Sequence, residues 1–126
     1  MAAGEALSDT DRLALDTSIR LAEQTSRFEF SVYVGPVEGD DTRAWATRLH
    51  NRLVAPARSV LVLVDPRRRV VEVVTGGDVR RFLTDAEVQH AVDTMTAEFA
   101  AGRLLPGLQR GVAELSERAR SHETAH

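Results

Sequence analysis

The sequence predicts an α/β domain, a small mixed β-sheet sandwiched between helices in an α/β/α arrangement. Three observations predict it. In "SVLVLVDPRRRVVEVVT", residues 59–75, two apolar runs flank a proline turn, the signature of a hairpin. "FEFSVYV", residues 28–34, alternates apolar and polar positions as a half-buried strand does. A helix-patterned stretch separates the two segments, so the first strand joins the second through a parallel crossover, right-handed by the usual chirality.

The elements follow in order. Ser8 caps a first helix, with Asp9 and Asp11 in the turn where the helix dipole favours negative charge. Leu15, Ile19 and Ala22 give it an apolar face, and it ends near Thr25–Arg27. Phe28, Phe30, Val32 and Val34 form one face of the first strand, and Tyr33 lies on the other. "GPVEGDD", residues 35–41, is a loop that ends by capping a second helix with Asp41 or Thr42. Trp45, Leu49 and Leu53 are its stripe, Trp45 serving as a core anchor, and Pro56 is expected to stop it.

Val60 to Val64 is apolar without interruption, as in a strand covered on both faces. Asp65-Pro66-Arg67-Arg68 suits a type I turn, and Val70 to Thr75 returns antiparallel. Glu72 marks that returning strand as an edge or as partly covered. "DVRRFL" is a short turn, and Thr84-x-x-Glu87 is a capping box. Val88, Val92, Met95 and Phe99 mark a third helix closed by Gly102. Pro106 opens a fourth, carried by Leu108, Val112 and Leu115. The domain is placed at residues 7–120, with flexible tails at 1–6 and 121–126.

Composition narrows the chemistry. The 126 residues, 43% hydrophobic and 28% charged, suit one globular domain. A net charge of −3 gives no bulk attraction to nucleic acid or to an anionic membrane. All 16 basic side chains are arginine, so P-loop lysine and Schiff-base chemistry are excluded. The count of zero cysteines excludes disulfides, thiolate nucleophiles and Cys-ligated metals. No secretory leader and no bilayer-length apolar run are visible, so the expectation is a cytoplasmic protein without membrane insertion.

Five stretches, taken in order, resemble the TPM domain family, and more narrowly an actinobacterial branch of it of unknown function. They are "LSDTDRLALDTSIRLAEQTSRFEFSV", "AWATRLHNRL", "SVLVLVDPRRRVVEVVTG", "LTDAE" and "FAAGRLLPGLQRGVAEL". The resemblance covers about Leu7 to Leu115 and implies the same α/β/α unit. It also implies two functions. The first is a non-catalytic binding or scaffolding module whose partner is an unknown protein or a small anion. The alternative is a weak metal-dependent phosphatase using Asp78 and Asp85, with Thr75 helping to bind phosphate and calcium or magnesium as the cation. One departure favours the first. Many members carry Asp-Asn-Gly just before the second strand, where this chain has Ala57-Arg58-Ser59.

Two sheet edges therefore carry the candidate sites. Antiparallel pairing brings Thr75, Gly76, Gly77 and Asp78 beside Arg58, with Asp85 able to approach. These residues form a candidate anion or metal edge. The opposite edge, at the carboxyl ends of the parallel strands, is where open α/β sheets bind ligands. It offers Glu38, Asp40, Asp41 and Asp65, without the spacing of an EF-hand. Such acids serve more often as caps and turn formers. Arg67-Arg68-Arg69 and Arg80-Arg81 are short basic runs that could form an anion- or partner-binding patch, though such runs are more often solvated turn residues. No serine sits in a nucleophile elbow, and the four histidines lack metal-ligand spacing in an ordered helix.

Overall fold

The computed structural model describes residues 7–124. In chain order the elements are α1 (Asp9–Ser26), β1 (Glu29–Val34), α2 (Thr42–Asn51), β2 (Ser59–Asp65), β3 (Val70–Thr75), α3 (Asp85–Ala100) and α4 (Leu104–Thr124). Single 3₁₀ turns at Pro56–Arg58 and Val79–Arg81 lead into β2 and out of β3. The strands lie in the order β1-β2-β3. β1 runs parallel to β2 from the pair Glu29↔Ser59, and β2 runs antiparallel to β3 from Val60↔Thr75 to Asp65↔Val70. The mixed sheet expected from the sequence is the one observed.

The period of the strands divides the core into two layers. Phe28, Phe30, Val60, Val62, Val64 and Val73 face α1, α3 and α4. Leu61, Leu63 and Val74 face α2, where Trp45, Leu49 and Leu53 pack with Tyr33. Every residue of β2 is buried, and Val60 through Val64 are each no more than 1% exposed. These five amides are expected to show the slowest hydrogen exchange in the chain. Exchange there as fast as in the exposed 38–40 loop would break the hairpin assignment.

Local signals act where the sequence placed them. Ser8 Oγ accepts from the Asp11 N–H at 3.0 Å while Asp11 Oδ2 accepts from the Ser8 N–H at 3.2 Å, closing a capping box on α1. Thr84 and Glu87 do the same for α3. Gly102, at φ +81°, ends α3 in a Schellman arrangement. There the Arg103 N–H reaches the Glu98 carbonyl at 2.9 Å and the Gly102 N–H the Phe99 carbonyl at 3.0 Å.

Three expectations change. α2 ends at Asn51 rather than at Pro56. Its exit tightens through i→i−3 bonds, Arg52 N–H to Leu49 O and Leu53 N–H to His50 O, both at 3.1 Å. Pro56 instead opens the 3₁₀ turn. In α3 the most buried line is Ala91 and Met95, both 0% exposed, whereas Val88, Val92 and Phe99 are only half-buried. Val88, Val92 and Phe99 pack on the same core from its margin, and α4 packs against the helix. A Cβ on Gly111 would lie 2.3 Å from Met95 Sδ, so the bare glycine is what admits that side chain. Finally, α4 continues through Thr124, so residues 121–124, expected as tail, have helical backbone. The rest of the expected tails, 1–6 and 125–126, lies outside the described residues.

Both outer strands have part of their backbone occupied by side chains. Arg43 Nη1 donates to the Val73 carbonyl at 2.6 Å, and Arg80 Nη1 donates to the Thr75 carbonyl. On β1, Glu23 Oε2 accepts from the Phe30 N–H at 3.0 Å. Glu72, the charge that interrupts β3, accepts from Thr42 Oγ1 at 2.7 Å and pairs with Arg43 at 3.4 Å.

Candidate functional site

At the amino end of β2 the turn after β3 meets the turn before β2. The Gly76 N–H donates to the Ser59 carbonyl at 3.0 Å, and the Asp78 N–H to the Ala57 carbonyl at 2.9 Å. The arrangement is stitching between two backbone turns. A Cβ on Gly76 would lie 2.0 Å from the Pro56 carbonyl oxygen, so the chains touch with no room between them. Gly77 is exposed, and Thr75 is buried. Arg58 is engaged elsewhere. Its Nη2 donates to the Arg27 carbonyl at 2.7 Å, and its Cζ stands 5.2 Å from the centre of the Phe28 ring. Arg27 has φ +68° and ends α1, so Arg58 places a positive charge at the negative end of that helix.

Asp78 and Asp85 are both exposed. Among the described residues, no three His, Asp or Glu side chains are grouped to hold a metal ion. A calcium ion takes about six to eight oxygens, so two surface carboxylates do not make a closed site for it.

The acids of the opposite edge are also distributed. Asp65 is 3% exposed and engaged on both oxygens. Its Oδ2 accepts from the Val37 N–H at 3.0 Å, and its Oδ1 from Arg67 and Arg68 N–H at 3.1 and 3.3 Å. Asp41 Oδ1 caps α2 through the Ala44 N–H at 2.9 Å. Glu38 and Asp40 lie exposed in the loop between β1 and α2. The edge is a turn held together by carboxylates.

That same end of the sheet carries a groove of about 520 Å³, open on the side of α3. The hairpin contributes Val64, Arg69, Val70 and Val71, α3 contributes Thr96 and Phe99, and Leu104 opens α4. The size lies within the range of small-molecule sites. Glu98 fixes two of its walls. This carboxylate, 7% exposed, binds Arg103 and Arg110 and so ties the end of α3 to the start of α4. The Arg103 hydrogen bond, opposed by burial and aided by Arg110, holds the Glu98 carboxyl below the usual carboxylate range.

The groove was not foreseen. Phe99 read as core because its spacing is helical, and Arg69 read as a turn residue. One signal was present: the position after a type I turn often needs a left-handed residue, and here it is an arginine, at φ +57°.

The described helices include none long and apolar enough to cross a membrane. Two uncharacterised proteins from strains of Mycobacterium tuberculosis are each 29% identical to this chain over 106 residues, 84% of it. The chain spans only 63% of the length of these relatives. Two solved structures share the fold. The NMR structure of the BA42 protein of Bizionia argentinensis aligns with a TM-score of 0.83 and 17% identity, covering 92% of this chain and 83% of that one. The N-terminal domain of a protein from P. gingivalis aligns with a TM-score of 0.68 and 19% identity, covering 92% and 78%. A family model spans residues 2–116, and by that match the chain belongs to the family described as a domain of unknown function, DUF5130.

Proposed function

We propose that the domain is a non-catalytic binding module whose ligand sits in the groove between the hairpin turn and the α3–α4 corner. The observation that carries this reading is the groove itself. Its walls are mainly aliphatic and aromatic, and among the described residues Arg69 is its one charged side chain apart from the turn-bound Asp65. The resemblance to TPM units supports a binding role. It also supplies the competing role, a metal-dependent phosphatase at Asp78 and Asp85. Against that role stands the exposure of Asp78 and Asp85, with no group of three acids or histidines around them among the described residues.

The test is turnover. Purified protein incubated with a generic aryl phosphate is expected to release no phosphate, with or without calcium or magnesium. Calcium- or magnesium-dependent release, abolished by Asp78→Asn or Asp85→Asn, would replace the binding module with the phosphatase.

A further inference from the structure

We infer that the groove takes a small amphipathic monoanion, an aliphatic carboxylate of medium chain length, with Arg69 as the anchor for its head. The inference rests on the binding-module reading and names the ligand class.

The argument is one of hydrogen-bonding capacity. The groove presents Val64, Val70, Val71, Phe99 and Leu104, which offer an apolar ligand no polar partner. Its other polar side chains are already engaged. Thr96 Oγ1 donates its proton to the Val92 carbonyl at 2.8 Å, so it has none to give an anion. Asp65 is held by three backbone N–H groups. Arg69 differs. Among the described residues its side chain has no hydrogen bond and no ion pair, whereas the neighbouring Arg68 guanidinium donates to the Val37 carbonyl at 2.6 Å.

One spare guanidinium beside an apolar trough matches one anionic group on an apolar body. A guanidinium binds a carboxylate through two parallel N–H bonds, which fixes the head. The tail then runs along Val71 and Phe99 toward Leu104, and burial of each methylene tightens binding roughly fourfold. A dianion or a sugar would bring polar groups that the walls cannot satisfy.

The backbone at Arg69 adds a second point. A left-handed conformation is comfortable for glycine and strained for other residues. Arg69→Gly therefore removes the guanidinium while easing the turn, so loss of binding in this variant does not reflect misfolding.

The experiment is an NMR titration of the ¹⁵N-labelled chain with sodium octanoate, with 1-octanol and sodium butyrate in parallel. Octanoate is expected to shift the amides of Val70, Val71, Thr96 and Gly102, with octanol and butyrate each binding at least tenfold more weakly. Arg69→Gly is expected to weaken octanoate at least tenfold, and Ala100→Trp, which fills the exposed rim, to block it. The proposal is overturned if octanoate leaves these amides unmoved, if octanol binds equally well, or if Arg69→Gly binds undiminished. It is also overturned if the same amides shift with protein concentration alone, since a second copy then fills the groove. Failure of octanoate to bind leaves the binding module standing, and only phosphate release removes that.

Discussion

Gly76→Ala is expected to destabilise the domain by about 3 kcal/mol, at the upper end of what overpacking does. The added methyl would lie 2.0 Å from the Pro56 carbonyl oxygen and 2.4 Å from that of Ala57. Both are backbone atoms, so no rotamer change relieves the contact. The turn before β2 would have to retreat from the turn after β3. That retreat stretches the bonds from Gly76 to Ser59 and from Asp78 to Ala57. Gly77→Ala is the control. Its methyl would meet nothing nearer than Arg80 Nη2 at 3.9 Å, so it should stay within about 0.5 kcal/mol of the parent. Urea midpoints at constant slope decide the matter. Equal midpoints for the two variants would mean that the two turns do not touch.

Asp65→Ala is expected to cost about 3 kcal/mol in the same assay, because hydrogen bonds to a charged acceptor are individually strong. The substitution strips the acceptor from three backbone N–H groups, those of Val37, Arg67 and Arg68. The first belongs to the loop after β1 and the others to the hairpin turn, so one side chain joins both ends of the groove's edge. Asp65→Asn should recover only part of the loss. Its oxygen can still serve Arg67 and Arg68, but its amide then faces the Val37 N–H, donor against donor. A neutral Asp65→Ala would mean that the carboxylate is not a structural clasp and would reopen the acidic edge as a ligand site.

The fold was legible because its signals are local. The unbroken apolar run of Val60–Val64, the Asp65-Pro66 turn and the caps at Ser8 and Thr84 each lie within a few residues of what they control. The groove was not legible for the opposite reason. Val71, Thr96 and Leu104 come from three elements and meet only in the packed structure, and no spacing rule reports that meeting. The partner of Arg58 was not legible for a similar reason. From sequence Arg58 is a cation beside a glycine turn. Its partner, the carbonyl of Arg27, lies 31 positions away at the end of another element. Charge was visible in the sequence, but the carbonyl that holds it was not.

The arginines on β3 have a consequence for assembly. A sheet grows when another strand docks on bare carbonyls, and on β3 the carbonyls of Val73 and Thr75 already have guanidinium donors. An arginine keeps its charge at any pH a cell reaches, so acid or base does not lift this cover. An incoming strand would have to displace two cations from these carbonyls. The other flank differs: on β1 Glu23 accepts from the N–H of Phe30, and among the described residues no arginine donates to a β1 carbonyl. The sheet is thus polar in its capacity to polymerise, with one dead end. Any added strand that leaves the arginines in place must lie beside β1, so two copies can pair through their β1 edges but cannot repeat that contact into a fibre.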